Sequence, residues 1–70
     1  MRVSYDKLRR LLNKKNMKKM DLLEAIEVSP NTLAKLSKDE DVSMDVLKRI
    51  CAYFKCDVGD IMEIIPESEN

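Results

Sequence analysis

The chain has no histidine, one glycine, two prolines and two cysteines in 70 residues. Each scarcity removes a class of function. Without imidazole there is no histidine to ligate zinc or to serve as the base beside a nucleophile. A single glycine cannot supply a glycine-rich phosphate loop. Cys51 and Cys56 are too few for a disulfide framework, and Cys51 falls on the apolar stripe of its helix, where it reads as a small core residue. No apolar run approaches the roughly eighteen residues of a spanning helix, and no signal-peptide core is present. The expected setting is therefore cytoplasmic, away from membranes. No enzyme is expected, and neither a cofactor nor a small-molecule ligand is evident.

What is present suits a compact all-helical protein: 44% hydrophobic and 37% charged residues, a composition unlike a sheet or a disordered tail. A chain of 70 residues makes one domain, 1–70, and buries only about 60% of its unfolded surface, so its stability is modest or shared with a partner. Formal net charge is zero, but the charges are segregated. Residues 1–20 carry eight basic side chains against Asp6 alone, a net of +7, and residues 21–70 carry five basic against twelve acidic, a net of −7. Such a dipolar molecule offers one face to phosphates and another to something else.

One pattern recurs five times: an apolar residue, a capping position, and a second apolar residue five places after the first, the spacing of a hydrophobic staple. The pairs are Val3–Leu8, Met17–Leu22, Val28–Leu33, Val42–Leu47 and Cys56–Ile61, enclosing Ser4, Lys18, Ser29, Ser43 and Asp57 as caps. All but Lys18 are good N-caps. The pattern predicts five helices. The first runs over about 5–14, with Tyr5, Leu8, Leu11 and Leu12 inward and Lys7, Arg9, Arg10 and Lys14 outward. Asn13 to Asn16 turn the chain. Residues 37–41 form a polar surface loop. The fourth helix, about 44–54, places Leu47, Ile50, Cys51 and Phe54 on one face, and a short fifth covers about 58–62.

Residues 18–37, KKMDLLEAIEVSPNTLAKLS, read as two short helices and a tight turn. Leu22, Leu23 and Ile26 line the first, with Ala25 small for close packing; Val28, Leu33 and Leu36 are the buried set of the second. Ser29 caps the second helix, and Pro30 falls at its first position, where a missing N–H costs nothing. Helices this short need a scaffold. Met17, Leu22, Ala25, Val28-Ser29, Leu33 and Leu36, with NTLAKL at 31–36 and CDVGDIMEI at 56–64, resemble the helix-turn-helix of the Cro/C1-type (XRE, lambda-repressor-like) DNA-binding family over nearly the whole chain.

The resemblance implies an all-α, five-helix lambda-repressor-like domain that binds double-stranded DNA as a transcriptional regulator, with the third helix in the major groove. A repressor is expected, because so short a chain has little room for an effector domain. A homodimer would read two half-sites. Ser29, Pro30, Asn31, Thr32, Lys35 and Lys38 are then the DNA-binding residues of the third helix. Asn31 suits adenine, Lys35 guanine or phosphate, and Thr32 a phosphate or a thymine methyl. Lys18 and Lys19 are the phosphate clamps at the start of the second helix, aided by its first amides, and basic residues of the first helix extend the strip.

The sequence departs from the family pattern at several positions. Glu27 stands where the turn usually has glycine, Lys19 where glutamine is common, and Leu23 where alanine is common. The recognition stripe holds no arginine or glutamine, which shifts specificity toward dimer geometry and DNA shape. The tail, 63–70, has two destinations open to it. It pairs as a strand with Arg2-Val3-Ser4, or Ile64 and Ile65 join Ile61 as dimer contacts, and the two can coexist. An alternative function of another class is a protein-interaction module, antitoxin-like or an adaptor partner, using the acidic fourth and fifth helices and the apolar tail.

Overall fold

Small polar side chains set where the helices begin. The Ser29 hydroxyl accepts the Thr32 N–H at 3.2 Å, with Pro30 as the first helical residue, and the Ser43 hydroxyl accepts the Val46 N–H at 3.2 Å. In the computed structural model, which describes residues 1–66, the order is β1 (Arg2–Ser4), α1 (Asp6–Lys14), α2 (Lys19–Ile26), α3 (Pro30–Ser37), α4 (Met44–Phe54), a 3-10 turn (Val58–Asp60) and β2 (Glu63–Ile65). None of the helices among the described residues is long and apolar enough to cross a membrane.

One helix start differs from expectation and a second is secured in another way. α1 begins at Asp6 because the Tyr5 N–H is drawn to the Asp39 carboxylate at 2.9 Å, leaving the Ser4 hydroxyl to accept the Asp6 N–H at 3.3 Å. Lys18 has no side-chain acceptor, so the start of α2 is secured from inside the helix: the Asp21 carboxylate takes the Lys18 N–H at 2.8 Å. At the other end, α2 and α4 stop alike, on the left-handed non-glycine residues Glu27 (φ 55°) and Lys55 (φ 56°). The next amide in each case folds back into the last turn, Val28 N–H to Leu23 O at 3.3 Å and Cys56 N–H to Cys51 O at 3.0 Å.

The fifth helix is not formed: the described residues hold four α-helices and, at 58–60, a single 3-10 turn. Asp57 accepts the Val58 N–H at 2.6 Å and Asp60 accepts the Asp57 N–H at 3.0 Å, so the start is well capped. Propagation fails because Gly59 is a poor helix former and the backbone is already extended at Glu63. There β2 pairs antiparallel with β1, Arg2 opposite Ile65, Val3 opposite Ile64 and Ser4 opposite Glu63. Residues 63–65 thus pair as a strand on the same chain, which leaves Ile64 exposed for a partner as well; residues 67–70 of the tail lie outside the described residues.

The core gathers Val3, Tyr5, Leu8, Leu12, Leu22, Ile26, Leu36, Leu47, Ile50 and Ile61. Every element but β2 and the 3-10 turn contributes. Val28 and Cys51 are half-buried against this cluster, Leu23 and Leu33 are half-buried, and Ala25 is exposed and does not serve close helix packing. Ile61 is fully enclosed, 0% exposed, and its carbonyl accepts the Leu8 N–H at 3.1 Å. It is therefore a core residue and no dimer contact.

The connector between α3 and α4 is more than a solvated loop. The Tyr5 hydroxyl donates to the Glu40 carbonyl at 2.7 Å. Arg9 donates to the Asp39 carboxylate at 3.1 Å, to the Leu36 carbonyl at 3.1 Å, and to Asp6. These bonds fasten the end of α3 to the start of α1.

Candidate nucleic-acid interface

α3 owes its outward stripe to its inward one. Leu36 is buried and Leu33 half-buried, and helical periodicity then leaves Asn31 and Lys35 exposed; Lys38, just past the last turn, is exposed too. Ser29 and Pro30 are exposed as well, and Thr32 is half-buried. The segment 30–37 contains no acidic side chain, so nothing within it competes for Lys35. The Ser29 and Thr32 hydroxyls lie 3.2 Å apart, and Ser29 also holds the Thr32 N–H. Both are therefore committed to the cap, with lone pairs left over for a further contact.

α2 reaches this face at its N-terminus. Lys19 lines the same narrow crevice as Leu33, Leu36 and Ser37 of α3, which sets its side chain beside that helix. Lys18 is exposed at the cap. Its backbone amide, at the cap, is bonded to the Asp21 carboxylate. Lys38 diverges from Asn31 and Lys35: it borders a depression shared with Arg2, Asp6 and Asp39 beside β1.

The basic residues of α1 do not form the expected strip. Arg9 is consumed by Asp6, Asp39 and the Leu36 carbonyl, and hydrogen bonding to these carboxylates holds its guanidinium still more firmly protonated. Lys7 donates to the Gly59 carbonyl at 3.0 Å and lies 3.8 Å from Glu63. Arg10, Lys14 and Lys15 border a separate groove with Leu11 and Phe54.

Arg49 was not legible as a site residue. From α4 it donates to the Ile26 carbonyl at 3.3 Å and the Glu27 carbonyl at 3.2 Å, satisfying acceptors at the end of α2, and its Nε pairs with Asp45 at 3.0 Å. It thereby braces the left-handed turn that aims α3. Only the Asp45–Arg49 spacing was visible beforehand, since an i, i+4 pair is local.

The comparisons agree with this geometry. The family model described as a Cro/C1-type HTH DNA-binding domain matches residues 7–67. A crystal structure of the transcriptional regulator VanUg, form II, is similar at 56% identity and a TM-score of 0.90, over 94% of this chain and 88% of that one. No curated protein matches. The match of the family model over most of the chain, on a fold with a capped, outward-facing α3 behind a short left-handed turn, shows that this protein belongs to the Cro/C1-type helix-turn-helix DNA-binding family.

Proposed function

We propose that the protein is a sequence-specific duplex-DNA-binding transcriptional regulator, a repressor acting as a homodimer, with α3 in the major groove. The observation that carries this reading is α3 itself. It is a helix with a rigidly capped start, an exposed Pro30-Asn31 first turn, an exposed Lys35 and no carboxylate. A helix N-terminus of this kind presents first-turn side chains to base edges while its dipole favours phosphate. Asn31 reads adenine; Lys35 reads guanine or holds a phosphate. Lys18 and Lys19 clamp the backbone, Ser29, Pro30 and Thr32 approach it at the turn, and Lys38 does so at the edge of the footprint. The description of VanUg as a transcriptional regulator supports the regulatory role.

The dimer seam runs along β2, where Ile64 is 55% exposed and Ile65 half-buried beside it. A docked partner on the acidic side is the weaker reading, because those carboxylates are largely committed: Asp45 to Arg49, and Asp57 and Asp60 to the cap of the 3-10 turn.

Selection of bound duplexes from a random pool at near-physiological salt tests the function, since non-specific phosphate binding is suppressed there. Enrichment of a palindrome with half-sites about ten base pairs apart is the expected result. A folded sample that enriches nothing would reject sequence-specific binding.

A further inference from the structure

Between α1 and the C-terminal end of α4 runs a groove that plays no part in the interface above. One stretch is bordered by Lys7, Arg10, Lys14 and Lys15, with Leu11, Phe54 and Cys56 among its walls and Asp60 at the end. It continues past Lys15 and Phe54 to Met17, Tyr53 and Lys55. No residue of α3 borders it. Arg9 faces Leu36 of α3, and the turn of about 100° per residue carries Lys7, Arg10, Leu11 and Lys14 round to the other side of α1.

Two features of the groove suit it to a ligand. Among the described residues Lys14, Lys15 and Lys55 make no ion pair, and Arg10 has only a longer-range attraction to Asp6 one helical turn back, in a chain whose acidic and basic residues are equal in number. Lysines at the ends of α1 and α4 complement the helix dipoles, but Arg10 in the middle of α1 does not. Beneath these cations lies an apolar, aromatic floor: Leu11, Met17, Phe54 and Cys56 are half-buried, and Tyr53 is 48% exposed, its ring edge-on to Phe54 at 5.0 Å. At the Met17–Lys55 end, the chain leaves α1 through left-handed Asn16 and α4 through left-handed Lys55, so the shape of that end is built in advance.

We infer that this groove docks an acidic peptide segment of another protein, one that carries an aromatic or large aliphatic anchor between carboxylates. The anchor seats on Leu11, Phe54 and Tyr53, where aromatic contact adds to area burial. The carboxylates meet Arg10, Lys14, Lys15 and Lys55, which steer the encounter and fix register. A duplex lacks the anchor, and the apolar floor offers its phosphates nothing.

The test uses the full chain and a short fluorescein-labelled synthetic peptide of glutamates flanking one central phenylalanine. A second peptide carries alanine in place of that phenylalanine. Backbone amide shifts on adding the first peptide should gather on 10–17 and 53–56, and Lys14→Glu with Lys15→Glu should weaken its binding about tenfold, or about 1.4 kcal/mol. The same double variant should leave affinity for duplex DNA within about twofold, whereas Lys18→Glu with Lys19→Glu should not. The inference is overturned if no binding occurs, if both peptides bind equally, or if the shifts gather on Lys18, Lys19 and Lys35. Loss of duplex affinity in the Lys14/Lys15 variant equal to that in the Lys18/Lys19 variant would overturn it too, making the groove a phosphate surface.

Discussion

Arg9 on α1 and Lys35 on α3 carry the same charge and meet opposite surroundings. Arg9 donates to Asp39, to Asp6 and to the Leu36 carbonyl, joining parts of the chain 27 and 30 residues apart. Lys35 is exposed, and no carboxylate lies within its helix. α1 uses its polar atoms to hold the fold together; α3 satisfies its own through a local cap and leaves the outer stripe for solvent or a ligand. A basic residue next to a carboxylate is scaffold, and one without such a partner is available for recognition. The +7 of the first twenty residues therefore overstates the charge open to DNA.

Substitutions on the two helices should separate these roles. The largest loss of stability is expected for Arg9→Ala, about 2 kcal/mol, because it strips charge-assisted bonds from Asp39 and leaves the Leu36 carbonyl unpaired. Urea unfolding reads this directly, and an unchanged midpoint would remove Arg9 from the scaffold. Asn31→Ala and Lys35→Ala are the mirror case. Each should cost about 1 to 3 kcal/mol in binding a selected site, less on random duplex, with the melting temperature nearly unmoved. Equal losses on every sequence would deny them base readout.

Smaller effects test the junction and the turn. Tyr5→Phe should lose about 1 kcal/mol with the Glu40 hydrogen bond, and a neutral result would show that this bond holds nothing. Glu27→Gly should gain about 1 kcal/mol, because glycine relieves the left-handed strain at φ 55°. A fall in melting temperature would mean that Arg49 and the Glu27 side chain hold the turn in a way glycine cannot. The smallest effect is that of Asp6, whose carboxyl is held below the usual range mainly by its hydrogen bond to Arg9. Its stabilisation is present above the ordinary carboxylate pKa and is lost as pH falls through the lowered value. Compared with Asp6→Asn, the native chain should therefore show a stability advantage at neutral pH that vanishes in acid.

Much of the fold was legible because its signals are local. Ser29-Pro30 and Ser43 mark the starts of α3 and α4, where the hydroxyl and the amide it accepts lie three residues apart. At Glu27, where the family's turn usually has glycine, the backbone is left-handed, the conformation that favours glycine. The fifth helix was over-read, since Asp57 and Asp60 form a sound cap whose continuation depends on Gly59 and on β2. Ile61 was misassigned for a related reason: periodicity shows that a side chain is apolar, while only packing decides what covers it.

In the candidate interface, the exposure of Ser29, Pro30, Asn31 and Lys35 follows from the period of α3, so residues 29–35 could be read from the chain alone. The roles of Arg9 and Arg49 could not, because their partners lie 30 and 23 residues away. The sequence by itself determined the helix starts, the apolar stripes and the segregation of charge, all of which are interactions between near neighbours. Tertiary structure alone decided which cations are neutralised, where the tail pairs and how the turn before α3 is braced, because those outcomes depend on groups that meet only when the chain has closed on itself.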